Sequence, residues 1–119
     1  MNYVFKEKCK ILGVKYDILF IDKSDETLYP NEGLIVYTNN KIFILISNES
    51  LSFLAHELIH AYRYQTGLKQ SEEVCFKNEE DFVRYIEKMF MLFYNKKIYK
   101  LFKKIDKKIK KHLNKGVIK

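Results

Sequence analysis

Apolar and polar positions along the chain follow two different periods, and the changes of period mark the elements. Near the N-terminus, Val4, Phe5, Cys9 and Leu12 fall close to helical spacing and Gly13 follows as a stop. This predicts a short first helix over residues 2–12. Tyr16 to Ile21 is apolar and rich in β-formers, and it ends at the polar turn Asp22-Lys23-Ser24-Asp25, which predicts a buried strand. Residues 23–33 are a polar loop with Pro30 and Gly33. Leu34–Thr38 and Lys41–Ile46 flank Asn39-Asn40, a hairpin pattern, because Asn tolerates the positive φ that tight primed turns need. Ser47-Asn48-Glu49-Ser50 then offers N-caps for a helix over about Ser50 to Thr66, with Gly67 as its stop. Past a loop at residues 67–71, a second helix is expected from about Ser71 to Asn95. Its apolar stripe is Phe82, Val83, Ile86, Met89, Phe90 and Phe93. From Lys96 a basic amphipathic helix carries Ile98, Leu101, Phe102, Ile105, Ile109 and Leu113 on one side and ends at Gly116. The expected class is α+β: a small antiparallel or mixed sheet of about three strands packed on two helices, with the basic helix at the C-terminus.

Composition narrows this reading. A chain of 119 residues with 47% hydrophobic content, nine Tyr and nine Phe makes one domain with a core of its own. No internal repeat appears. One proline and four glycines argue against long disordered linkers. Cys9 and Cys75 follow no metal or redox spacing and read as two free thiols of a reducing compartment. Lys6, Glu7, Lys8 and Lys10 interrupt any signal-peptide pattern, and no apolar run approaches the roughly 20 residues that span a bilayer. A cytoplasmic protein is expected. The formal charge of +7 is unevenly spread. Residues 96–119 hold eleven lysines against one acid, Asp106, whereas residues 1–95 hold eleven Lys and Arg against fourteen acids. The chain thus divides into a body, 1–95, and a basic helix, 96–119, which is either part of the same domain or an appendage.

The candidate chemistry lies in Leu54-Ala55-His56-Glu57-Leu58-Ile59-His60-Ala61-Tyr62. On a helix, His56 and His60 stand one turn apart on one face, as two imidazoles sharing a zinc ion must. Glu57 projects from nearly the same side, placed to take a proton from a water that the metal activates. The apolar neighbours put this helix in a core, where two unpartnered imidazoles and a carboxylate would be costly.

Hydrolytic zinc sites have three protein ligands. No further histidine follows at metal-binding spacing, and His112 on the lysine-rich tail is a poor candidate. The carboxylates of the second predicted helix remain: Glu72, Glu73, Glu79, Glu80 and Asp81. At 100° per residue, Glu79 falls in line with Phe82, Ile86 and Phe90, whereas Glu80 is turned about 100° away. Glu79 is the first choice and Glu80 the second. Otherwise the three acids at 79–81 form a solvated first turn that favours the helix dipole.

His56-Glu57-Leu58-Ile59-His60, strands just before it and a glutamate nineteen positions after His60 resemble a gluzincin zinc metallopeptidase. The size is similar to the small ImmA/IrrE-like peptidases of phages and mobile elements. The resemblance covers about residues 34–93. It implies a minimal zincin-like fold, His56, His60 and Glu79 as zinc ligands, and Glu57 as general base. It also implies that the last strand before the helix, Lys41 to Ile46, offers an edge to an extended peptide. Asn78-Glu79-Glu80-Asp81-Phe82-Val83 departs from the family's usual Glu-Ala and later Phe-Ala, which leaves the exact glutamate open.

The expected activity is therefore zinc-dependent hydrolysis of peptide bonds in a cytoplasmic protein, such as a regulator. The oxyanion would need a donor, and Tyr62, Arg63, Tyr64 and Tyr85 are all nearby in sequence. The basic helix reads first as packing on the domain. Beyond that, it offers non-specific contact with nucleic acid or an anionic surface. An alternative function is a non-catalytic binding protein on a metallopeptidase-like scaffold, contacting nucleic acid or a protein through that helix.

Overall fold

The computed structural model describes residues 2–65 and 96–115, and its first element departs from the sequence expectation. Residues Phe5–Ile11 form a strand, β1, not a helix. Phe5, Glu7, Cys9 and Ile11 point inward and Lys6, Lys8 and Lys10 outward, which is the period of two. Leu12 and Gly13, at φ 50° and 83°, make a two-residue turn into β2, Val14–Ile21. Positive φ at both positions matches the primed turns that follow strand twist. Gly13 is therefore a hairpin residue where the spacing suggested a helix stop.

After a 3-10 turn at Glu26–Leu28 come β3, Gly33–Val36, and β4, Lys41–Leu45. These two strands form the expected antiparallel hairpin through residues 37–40, with Asn40 at φ 54°. The sheet has four strands rather than about three, in the order β1-β2-β4-β3. It is mixed: β2 runs parallel to β4, and the other two pairings are antiparallel. One expectation is thereby overturned. β4 is hydrogen-bonded on both sides and offers no edge, because β2 occupies the side opposite its hairpin partner; among the described residues the edges are β1 and β3.

One face of the sheet carries Cys9, Ile11, Tyr16, Ile18, Phe20, Ile42 and Ile44 into the main core. The other face packs Leu19 and Ile21 beneath Leu28 of the 3-10 turn. Helix α1, Ser50–Gln65, lies on the first face and buries Leu54, Leu58, Ile59 and Ala61, positions three and four apart. Each such leucine or isoleucine contributes about 1.5–3 kcal/mol by leaving water. Ser50 is itself buried; its one hydroxyl hydrogen lies within reach of the carbonyls of Leu45 (2.8 Å) and Ser47 (2.9 Å), its oxygen accepts from the Ser47 N–H at 2.7 Å, and these contacts lock the β4–α1 junction. At the other end, Gln65 donates to the Tyr16 hydroxyl at 2.7 Å, and Tyr64 stacks on Tyr37 with centroids 3.9 Å apart.

Helix α2, Lys96–Asn114, is the basic helix. Its Ile98, Ile105 and Ile109 are buried in the same core as the sheet and α1, so its apolar stripe is consumed by the domain. No helix among the described residues is long and apolar enough to cross a membrane. The helix expected over 71–95, with its apolar stripe and the candidates Glu72, Glu73, Glu79, Glu80 and Asp81, lies outside the described residues, as do Cys75 and Tyr85.

Candidate metal centre

The phase of α1 follows from its apolar positions. With Leu54, Leu58 and Ala61 turned into the core, His56 and His60 fall on a flank of the helix, one exposed and one half-buried. Their Nε2 atoms converge to 3.0 Å, and the rings meet edge to face with centroids 4.6 Å apart. Two nitrogens bound to one tetrahedral zinc at 2.0–2.1 Å stand about 3.3 Å apart, so a shift of a few tenths of an ångström suits this pair to a shared metal. Without a metal, one ring donates to the other across the same gap.

Glu57 is 7% exposed, between the histidine flank and the sheet. Burial alone pushes its carboxyl up from 4.5 to about 7, the range in which a general base works at neutral pH. The first residue of β3 backs it closely. A Cβ built on Gly33 would stand 3.2 Å from Glu57 Cγ and 3.3 Å from its Oε2. His56 and Glu57 open together into a cleft of about 340 Å³ lined also by Glu32, Gly33, Ser52 and Phe53.

Of the sequence-predicted site residues, His56 and His60 thus meet on one flank of α1, and Glu57 opens with His56 into one cleft. Among the described residues, no third His, Cys, Asp or Glu joins the histidine pair. His112 is far from the pair in role: its Nε2 meets Asp22 Oδ1 at 2.5 Å. Of the residues considered as oxyanion donors, Tyr62 packs against the core and Tyr64 is held in its stack. Cys9 is buried, which pushes its thiol up to about 11 and leaves it unreactive. Sequence reasoning missed Gly33, whose role arises from a contact between β3 and α1. The only local signal was a glycine opening an otherwise apolar strand. No family model, curated protein or solved structure matches the chain.

Proposed function

We propose that the chain is a zinc-dependent peptidase of minimal zincin-like design, acting on a protein substrate in the cytoplasm. The observation that carries this reading is the convergence of the His56 and His60 Nε2 atoms at 3.0 Å beside a buried Glu57 that opens into the same cleft. His56 and His60 would hold the metal. Glu79, or failing it Glu80, is proposed as the third ligand. Bound zinc supplies a Lewis-acid charge that acidifies water and polarises a carbonyl. Glu57 takes the proton from the attacking water and returns it to the leaving amine. Gly33 keeps the space that the carboxyl needs, and the low polarity around it keeps Glu57 basic enough to accept. The outer edge of β3, next to Glu57, is the place where an extended peptide would pair.

The test is zinc content per chain, measured on wild type and on His60→Ala, Glu79→Ala and Glu80→Ala proteins. About one zinc in wild type is expected, lost in His60→Ala and Glu79→Ala and kept in Glu80→Ala. Glu57→Gln should keep zinc and lose hydrolysis of a quenched fluorescent peptide library by about 10² or more. A folded wild type that holds no divalent metal under any loading condition would overturn the reading. Full activity in a zinc-loaded Glu57→Gln protein would remove Glu57 as the base.

A further inference from the structure

The lysines of α2 do not stand alone. Among the described residues β1 is an edge strand, and α2 reaches its inward face, where Lys104 and Lys108 meet Glu7. Between the two elements lies a groove of about 390 Å³ whose lining, among the described residues, includes Lys8, Lys10, Lys97, Lys100 and Lys104 and no acid. A second hollow of about 430 Å³ shares Lys100 and Lys104 and adds Lys103 and Lys107 across the outer side of α2. Asp106, the one acid among the described residues lining it, is held by Lys110 at 2.9 Å. Glu7, the acid beneath the groove, is buried and already shared between Lys104 and Lys108. The result is a continuous basic track over two elements.

We propose that this track binds nucleic acid through its phosphate backbone, without reading sequence. Spacing supports a polymer of phosphates rather than a single anion. From Lys97 to Lys107 the helix rises about 15 Å, the axial length of four to five phosphates on one strand of a duplex at ~3.4 Å each. The lysines are compact point charges with no arginine fork among them, which suits sequence-independent contact. A membrane surface is the poorer fit. An interfacial helix inserts an exposed apolar face, and Ile98, Ile105 and Ile109 are at most 5% exposed. A protein partner is poorer still, since lysine is depleted from the centres of protein interfaces. The track borders β1, whereas Gly33 and Glu57 are at the β3 edge, three strand spacings or about 14 Å across the sheet. Nucleic acid on the track leaves the histidine cleft open, and the proposal stands independently of zinc.

The experiment is fluorescence anisotropy of the full chain with a labelled duplex of about 20 base pairs, its single strand, and potassium chloride from about 50 to about 200 mM. It is run with zinc and again with chelator, and the same result is expected in both. With about four phosphates neutralised, log K should fall against log salt with a slope near −3.6, a loss of about 150-fold over that range. Lys8→Gln/Lys10→Gln/Lys100→Gln should weaken binding at least about tenfold and flatten the slope by about 0.9 for each replaced lysine that meets a phosphate. All three residues are exposed, so circular dichroism and thermal melting should match wild type. Lys23→Gln/Lys111→Gln/Lys115→Gln removes the same charge elsewhere and should change affinity by less than about threefold. No binding at about 50 mM salt, or equal loss in both triple variants, would overturn the proposal. So would binding confined to vesicles with about 30% phosphatidylserine.

Discussion

At the scale of the residue, the Glu57 carboxyl and Gly33 constrain each other. The histidine spacing was legible in the sequence because helix phase is local: two residues four apart share a face whatever packs around them. The burial of Glu57 against Gly33 was not, because it needs β3 and α1 to be in place. A methyl group at Gly33 would stand 3.2–3.3 Å from the Glu57 side chain, tighter than ordinary contact, so the carboxyl would move by a few tenths of an ångström. Gly33→Ala should therefore keep the fold and any bound zinc, since the three atoms nearest that methyl all belong to Glu57. With Glu57 as the proposed base, it should lower the proposed peptide hydrolysis about three- to tenfold, because a displaced base loses alignment steeply. Unchanged turnover with unchanged zinc would show that Gly33 has no part in positioning Glu57. The proposed third ligand is separable in sequence only by helical phase, which favours Glu79 over Glu80 without fixing it.

At the scale of the element, β1 is a strand where the apolar spacing suggests a helix, and Glu7 explains why. The strand alternates Phe5, Glu7, Cys9, Ile11 inward, but a charged residue at one inward position breaks the apolar pattern. Val4, Phe5, Cys9 and Leu12 then suggest a helix. Glu7 is tolerated inside because Lys104 (3.2 Å) and Lys108 (2.5 Å) reach it from α2, about a hundred positions along the chain. Such a partner is invisible to any local window. By contrast, α2 and the β3–β4 hairpin follow their sequence signals closely, since an amphipathic stripe and an Asn turn are local devices. The Glu7 contacts also pin α2 to the sheet. Glu7→Gln should cost about 1–2 kcal/mol in urea unfolding, below the value for a fully buried pair because both lysines stay partly solvated. Wild type should lose part of that advantage in strong salt and the variant should not. An equal urea midpoint for both proteins would mean that α2 docks through its isoleucines alone.

At the scale of the whole molecule, the same charges that dock α2 set the response to acid. At neutral pH the excess is +7, and protonating every carboxylate leaves 22 Lys and Arg and three His uncompensated. Self-repulsion then grows as the carboxylates that hold α2 are lost. Asp22 is the second anchor of this helix, through His112 near its C-terminal end. The Asp22 carboxyl is held down from 3.8 to about 2, first by the Ser24 hydroxyl, then by His112 and the Ser24 backbone N–H. Between pH 3.8 and about 2 the folded chain thus holds fewer protons at Asp22 than the unfolded chain does. Stability from this contact is complete above pH 3.8 and is lost as pH falls towards 2. Half-exposure of the carboxylate keeps the effect modest. An acid titration followed by circular dichroism should show helix loss within this window. Asp22→Asn should begin to unfold at higher pH than wild type, because its α2 anchor is weakened before the titration starts. Added salt should move both transitions to lower pH by screening the lysines. Superimposable transitions for the two proteins would place the acid sensitivity elsewhere, with Glu7 the next carboxylate to test.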